Sequence, residues 1–235
     1  MKLPEGSTSL ILLQRTHYLA AHPLFAALTL LGSADFLYRL SVSLKAFLFG
    51  SRIKSEYAKD IEKEYAAIVP YLPGHAAAIL DIGCGIAGID ALLSKHYGHR
   101  VGIFLLDRTL MQKRVYYGMQ ETGAFYNSLE ISREVLEMNG VDRANIHVQE
   151  ATSANEILFD ATFDIVLSLL SWGFHYPVST YATAVFATLK PGGMLIMDVR
   201  KETGAQEEIE ALFGEATIIS ERARSRRIMV RKREV

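Results

Sequence analysis

The chain has 235 residues, of which 50% are hydrophobic and 22% are charged, and its formal net charge is −1. A chain of this length can bury the core of one sizeable domain, and its near-neutral charge argues against a general nucleic-acid-binding surface. Cys84 is the only cysteine, which excludes an intrachain disulfide and a cysteine cluster for metal. This cysteine usage fits a cytoplasmic protein.

The first part of the chain is predicted to be a helical extension, residues 1–68, that precedes a domain of residues 69–235. Residues 16–34 contain no Asp, Glu, Lys or Arg, a length close to the ~20 apolar residues of a membrane span. Pro23 would kink a helix there. We therefore expect amphipathic helices that form a lid or a homodimer contact, and residues 9–49 leave open a peripheral location at a membrane surface.

From residue 76 onward, short apolar runs alternate with helical patterns, which is typical of a parallel sheet with helical crossovers. A helix is predicted over residues 180–189, followed by a turn at residues 190–193. The predicted strands are residues 77–80, 101–106, 145–148, 163–169, 194–199, 216–220 and 227–230.

The first predicted strand ends at Asp81 and is followed by a glycine-rich turn that contains Gly83, Cys84, Gly85 and Gly88. Glycine permits positive φ angles and lets the backbone approach a ligand closely, and the free N–H groups of the next helix point to the same place. We expect these residues to bind a nucleoside-bearing cofactor, with Cys84 as a small turn residue. The carboxylate of Asp81 is unfavourable beside a pyrophosphate and favourable beside a cationic cofactor.

The stretch from residue 81 to residue 88 resembles the first motif of class I S-adenosylmethionine-dependent methyltransferases, with Ala87 where many members have glycine. Residues 163–166 resemble the fourth strand of that family, and residues 189–193, Leu-Lys-Pro-Gly-Gly, resemble the turn before its fifth strand. The resemblance covers residues 76–235. It implies a Rossmann-like α/β fold, with a seven-stranded, mostly parallel sheet and an antiparallel last strand, and S-adenosyl-L-methionine as the cofactor.

Further cofactor-binding residues are predicted at the ends of later strands. Asp107 ends the second strand, where its carboxylate can accept both ribose hydroxyls, and Arg108 follows it. After the third strand, Glu150 is predicted to accept from the adenine amino group beside Ala151, although an ordinary loop glutamate is an equal alternative. Ser168 ends the fourth strand, where the resemblance places the transferred methyl group.

The segment of residues 171–177 is rich in aromatic side chains and follows the fourth strand. His175 is the predicted general base, since an imidazole titrates near neutral pH. Trp172 and Tyr176 are predicted to contact the substrate. The alternative is that His175 and Trp172 only form the wall of the cofactor pocket, because alignment alone can promote methyl transfer.

Residues 108–126 form a long segment after the second strand, and loops of this length are often functional. Tyr116 and Tyr117 are predicted to contact a polar or anionic substrate such as a sugar, with a solvated flap as the alternative. Asn127 or Ser128 is predicted to cap the helix that follows. The basic residues near the end of the chain are predicted to lie on solvated strand faces, with a nucleic-acid-binding patch as the alternative: Arg222, Arg224, Arg226, Arg227, Arg231, Lys232 and Arg233.

Together these features predict an S-adenosylmethionine-dependent methyltransferase that acts on a small molecule or a glycan. A hydroxyl acceptor is favoured, because Ser-Leu-Leu-Ser-Trp replaces the Asp/Asn-Pro-Pro-Tyr motif of N-methylating enzymes. No acidic cluster marks a metal site. The alternatives are a nicotinamide-dependent oxidoreductase and a non-catalytic binding module with the same fold.

Overall fold

The computed structural model of the protein describes residues 1–15, 17–20, 35–109 and 127–233. Most of the apolar stretch at residues 16–34, and all of residues 110–126, lie outside these ranges. The helices are α1 (Ser7–Gln14), α2 (His17–Ala20), α3 (Asp35–Ile68), α4 (Gly88–His96), α5 (Leu129–Met138), α6 (Ala182–Thr188) and α7 (Ala205–Phe213). The strands are β1 (Ala78–Ile82), β2 (Gly102–Asp107), β3 (Ile146–Glu150), β4 (Phe163–Ser168), β5 (Leu189–Arg200), β6 (Thr217–Glu221) and β7 (Ser225–Arg231).

The strands form one seven-stranded sheet in the order β3-β2-β1-β4-β5-β7-β6. Strands β1 to β5 are parallel to their neighbours, whereas β7 is antiparallel to β5 and to β6. The strand order reverses between β1 and β4, and a crevice at such a switch point is the usual ligand site of an open α/β sheet. The predicted fold is confirmed.

Strand β1 lies at the centre of the sheet, and all five of its residues are buried. Its side chains alternate between two apolar clusters, one on each face of the sheet. Ile79 packs in a cluster with side chains from α1, α3, α4 and α5. Leu80 packs in the other cluster with side chains from α6 and α7. Burial on both faces explains why β1 is apolar except for Asp81.

The start of β5 differs from the prediction of a separate turn at residues 190–193. Leu189 already pairs with Phe163, and the register shifts before Met194 pairs with Ile165. The intervening residues bulge, with Gly192 at φ 72°. Backbone hydrogen bonds of 2.9 Å join this bulge to residue 232, which follows β7. The prediction was wrong because this distant segment holds the glycines within the strand.

The described N-terminal helices pack on the sheet. Leu10, Ile11, Leu12 and Leu13 of α1 belong to the same apolar cluster as Ile79. Helix α3 is 34 residues long and contains a break in helical geometry at Phe49. The helical prediction is therefore confirmed in α1, α2 and α3. None of the helices in the described ranges combines the length and the apolar character needed to cross a membrane.

Candidate functional site

A cavity of about 1290 Å³ opens at the carboxyl ends of the central strands. Its wall includes the loop between β1 and α4, the end of β2, the segment after β4 and parts of α1 and α3. Ligand pockets in proteins usually measure about 300–1,000 Å³. The cavity is therefore large enough for two small molecules side by side.

Two glycines of the glycine loop (residues 83–88) lie too close to neighbouring side chains to carry a Cβ atom. Gly83 has φ +77°, and a Cβ atom there would lie 1.8 Å from Ser171 Oγ. A Cβ atom on Gly88 would lie 2.4 Å from the hydroxyl oxygen of Tyr57. Ala87 also adopts a left-handed conformation, with φ 57°, which costs about 1 kcal/mol for a residue with a side chain.

Asp107 lies at the end of β2 and holds the glycine loop. The backbone N–H of Gly85 donates to Asp107 Oδ2 at 2.9 Å, and the backbone N–H of Arg108 donates to Oδ1 at 2.7 Å. Burial raises the pKa of Asp107 to about 6, although these donors limit the rise. The cavity therefore contains a carboxylate that is ionised at neutral pH and already oriented.

Asn127 also binds Asp107, a contact that was not predicted from the sequence. Its Nδ2 donates to Asp107 Oδ2 at 3.0 Å, and its Oδ1 accepts from Gln14 Nε2 at 3.3 Å. The helix cap is instead Ser128, whose Oγ accepts from the backbone N–H of Ile131 at 3.4 Å. Asn127 thus connects α1 to the predicted ribose site.

Asp81 and Asp90 form a buried pair of carboxyl groups below the glycine loop. Neither Asp81 Oδ1 nor the two Asp90 oxygens accept from any donor in the part of the chain that the structure describes. Burial and the facing carboxyl of Asp90 raise the pKa of Asp81 well above its ordinary value, and burial raises that of Asp90 to about 7. A proton on one carboxyl completes a hydrogen bond to the other, so the pair retains a proton near neutral pH.

Ser168 and Trp172 support the segment after β4 from below. Ser168 Oγ donates to the backbone oxygen of Ile82 at 2.9 Å and accepts from the backbone N–H of Trp172 at 2.9 Å. The Trp172 indole N–H donates to the backbone oxygen of Val178 at 2.8 Å, and the side chain is fully buried. Neither residue lines the cavity, and their roles toward cofactor and substrate stay predictions.

His175 and Tyr176 line the cavity beside Ser171 and Phe174. The His175 ring packs edge-on against the Phe174 ring, with centroids 4.9 Å apart. Tyr176 Oη lies 3.4 Å from Ser171 Oγ, and burial raises the pKa of Tyr176, so its phenol stays protonated at neutral pH. The structure brings both predicted side chains to the cavity, where their roles stay predictions.

The other residues that were predicted to bind the cofactor or the substrate do not all lie on the cavity wall. Arg108 and Ala151 line the cavity, and Arg108 Nη2 donates to the backbone oxygen of Ala151 at 3.3 Å. Glu150 accepts from the backbone N–H of Thr109 at 2.8 Å and lines a small neighbouring pocket instead of the cavity. Its role toward adenine stays a prediction. Tyr116 and Tyr117 lie outside the described residues.

The β6–β7 hairpin forms the far wall of the cavity, which was not predicted. Arg222, Arg224 and Arg227 all line the cavity there. Arg222 and Arg224 are exposed in the hairpin turn, whereas Arg227 does not lie on a solvated strand face. Arg227 is buried and forms a bidentate ion pair with Asp198, with two contacts of 2.8 Å. Asp198 Oδ2 also accepts from the backbone N–H of Leu170 at 3.2 Å, so this pair positions the segment after β4. Because Asp198 and Arg227 are far apart in the sequence, their contact could not be predicted from a local pattern.

In the four described ranges, no group of three or more His, Cys, Asp or Glu residues lies close enough together to hold a metal ion.

The sequence matches no protein-family model and no curated protein. Solved structures share the fold. An O-methyltransferase structure from Nostoc punctiforme superposes with a TM-score of 0.54 and 16% identity, over 78% of this chain and 59% of that one. The chain thus spans less than two thirds of the length of the Nostoc protein. The O-methyltransferase segment of StiE superposes with a TM-score of 0.54 and 14% identity, over 81% of both chains. The protein therefore has the fold of class I S-adenosylmethionine-dependent methyltransferases.

Proposed function

We propose that the protein transfers a methyl group from S-adenosyl-L-methionine to a hydroxyl group of a small-molecule acceptor. The observation that carries this proposal is the pair of carboxylate sites around the glycine loop. Asp107 stands at the end of β2 and Asp81 at the end of β1, with the cavity open beside both. One site suits a ribose and the other suits a cation.

The residues on the cavity wall fit this cofactor. Asp107 can accept from the two ribose hydroxyls, and the donors from Gly85 and Asn127 keep its carboxylate in place. Asp81 lines the cavity as one member of the acidic pair, and the ammonium group of the cofactor supplies the opposite charge beside it. When bound, the cofactor supplies a methyl group on a sulfonium, which is electrophilic without a metal.

The acidic pair also argues against a nicotinamide dinucleotide. Asp81 and Asp90 lie directly below the loop where a pyrophosphate would bind. Two phosphate charges at this position would meet the charge of the carboxyl pair, and like charges in a buried site repel strongly. A cofactor that carries positive charge at this end avoids the repulsion.

His175 is the residue that we assign to the acceptor. It lies on the cavity wall, in the segment that starts from the end of β4. A neutral imidazole there could take the proton that an acceptor hydroxyl must lose when it is methylated. Tyr176 and Phe174 provide apolar ring surface on the same wall, which excludes water from the reacting atoms.

The cofactor assignment is tested by calorimetric titration with S-adenosylhomocysteine. We expect Asp107→Ala to weaken binding by about tenfold or more, because it removes a charged acceptor of two hydrogen bonds. Asp160→Ala is the matched control, since Asp160 is exposed and distant from the cavity wall. A folded wild-type protein that does not bind S-adenosylhomocysteine would contradict the proposal.

A further inference from the structure

Three arginines cluster on the cavity wall opposite the glycine loop. Arg200 ends β5, and Arg222 and Arg224 lie in the turn between β6 and β7. The backbone N–H of Lys201 donates to the backbone oxygen of Arg224 at 3.1 Å, which holds the turn against the end of β5. We call Arg200, Arg222 and Arg224 the arginine wall.

The arginine wall lies next to the predicted general base. The Arg200 guanidinium stacks over the Phe174 ring, 4.5 Å from its centroid, and its Nε donates to the Phe174 backbone oxygen. Phe174 immediately precedes His175 and contacts its ring. The positive charge therefore begins beside the place where the acceptor would react.

The carboxylates on this side of the cavity already have cationic partners. Glu64 pairs with Arg15 at 3.1 Å, and Asp60 pairs with Lys63 at 3.0 Å. Glu221 pairs with two cations, Lys201 at 2.7 Å and Arg226 at 3.0 Å.

The arginine wall, in contrast, has no carboxylate partner among the described residues. Across residues 1–15, 17–20, 35–109 and 127–233, the side chains of Arg200, Arg222 and Arg224 form no ion pair. The nearby pair of Arg227 and Asp198 is neutral as a unit and buried. This side of the cavity thus has an excess of positive charge, although the net charge of the whole chain is −1.

We propose that the methyl acceptor carries an anionic group, a carboxylate or a phosphate, that binds the arginine wall while its hydroxyl faces His175. This inference rests on the proposed function and names the substrate class of the same site. Guanidinium groups bind both anions through paired hydrogen bonds. Arg222 and Arg224 are exposed, so we expect their contacts with an anion to weaken as the salt concentration rises.

A small anion fits this site better than a nucleic acid does. The cationic side chains lie on the wall of a cavity between α3 and the β6–β7 hairpin. A nucleic-acid site usually requires an extended basic surface, and the near-neutral charge of the chain does not favour one.

The test measures binding of three probes that share a phenyl ring: benzoate, phenyl phosphate and neutral benzamide. Each is titrated into the full chain by calorimetry, with and without saturating S-adenosylhomocysteine. We expect the two anions to bind and benzamide to bind about tenfold more weakly or not at all. A preference for one anion identifies the acidic group of the acceptor.

Variants then test the residues. We expect Arg222→Gln combined with Arg224→Gln to weaken the anions by about tenfold or more, and the corresponding double change to lysine to retain part of the binding. Arg100→Gln is the matched control, because Arg100 is exposed and far from the cavity wall. S-adenosylhomocysteine should bind all of these variants equally, which verifies that they are folded.

Equal binding of benzoate and benzamide, or unchanged anion binding by the double glutamine variant, would overturn the inference. So would tighter binding of a short RNA oligonucleotide at the same arginines. The anion titration without S-adenosylhomocysteine separates the two proposals. Failure of S-adenosylhomocysteine alone overturns the proposed function, whereas failure of the anions alone overturns the substrate class.

Discussion

Asp107 is ionised only because its hydrogen-bond donors offset its burial. Burial favours the protonated carboxyl, and the donors from Arg108, Gly85 and Asn127 favour the ionised one, with a resulting pKa of about 6. In the proposed function, ribose hydroxyls donate to the ionised form, so cofactor binding would expel any proton that Asp107 carries. The affinity for the cofactor is therefore linked to pH in the mildly acidic range.

We expect S-adenosylhomocysteine to bind more weakly as the pH falls through about 6, where Asp107 becomes protonated. The dissociation constant should rise by up to about tenfold per pH unit below that value. Calorimetric titrations between pH 5 and pH 8 measure this slope.

Asp107→Asn provides the control, because its amide does not titrate. This variant should bind more weakly and lose the component near pH 6, while a component near pH 7 from the acidic pair remains. A wild-type affinity that is constant from pH 5 to pH 8 would contradict the assignment of Asp107.

At the residue scale, the position of a site residue could be predicted from the sequence only when the residue belongs to a local motif. Asp81 and Asp107 follow apolar strands directly, so their positions beside the loop can be read from the sequence. Asn127 lies 20 residues beyond Asp107, and Arg222 and Arg224 lie in a hairpin at the far end of the chain. Their contacts depend on tertiary packing, which leaves no local pattern.

The loop between β1 and α4 is the element on which the proposed cofactor site depends. Gly83 requires a left-handed backbone, and its α-carbon faces Ser171 without space for a methyl group. A side chain at this position must displace the segment after β4, because Ser171 Cβ would itself lie only 2.4 Å away. The loop and that segment are therefore tightly packed against each other at Gly83, and we expect them to move together.

We expect Gly83→Ala to destabilise the protein by about 1–3 kcal/mol through backbone strain and crowding. It should also abolish S-adenosylhomocysteine binding, because the loop must move away from the cavity. Urea denaturation and calorimetry measure the two effects.

Gly74→Ala is the matched control for this change. No atom lies within 4 Å of a Cβ atom built on Gly74, so its stability should change by less than about 0.5 kcal/mol. Near-wild-type stability and binding for Gly83→Ala would show that the loop is not rigid.

At the element scale, the central strands were predicted to within a few residues, because buried parallel strands are continuous apolar runs. The strand that was predicted over residues 77–80 corresponds to β1, Ala78–Ile82. The start of β5 was missed for a different reason. Its bulge is held by Lys232, and a local sequence pattern contains no information about that partner.

The whole molecule combines its N-terminal helices and its sheet in a shared core. Ile11 is fully buried in the cluster on one face of the sheet, and Trp172 is fully buried in the cluster on the other face. Trp172 is the only tryptophan. Its fluorescence therefore reports the unfolding of the face opposite to α1.

We expect Ile11→Ala to lower the free energy of unfolding by about 2–5 kcal/mol, the usual cost of a large cavity in a core. The urea midpoint should fall equally when it is measured by Trp172 fluorescence and by far-ultraviolet circular dichroism, because both faces unfold together. Ile218→Ala is the control, since Ile218 is 44% exposed. If the fluorescence midpoint of Ile11→Ala matched that of the wild type, residues 1–68 would fold independently of the sheet.

At the scale of the whole molecule, the sheet and its two helical layers follow from the alternation of apolar runs and helical patterns. The packing of α1 against the proposed cofactor site does not follow from that alternation. It depends on single contacts such as that of Gln14 with Asn127, which join segments more than a hundred residues apart.

The single thiol of the chain has a practical consequence. Cys84 is buried inside the glycine loop, and burial together with the charges of Asp107, Asp81 and Asp90 raises its pKa well above the ordinary value. Alkylating reagents attack the thiolate. In the native loop, burial limits access to the sulfur atom, and the raised pKa keeps the thiol protonated. The rate at which an alkylating reagent modifies the Cys84 thiol therefore measures how often the glycine loop opens, and the measurement needs no added label.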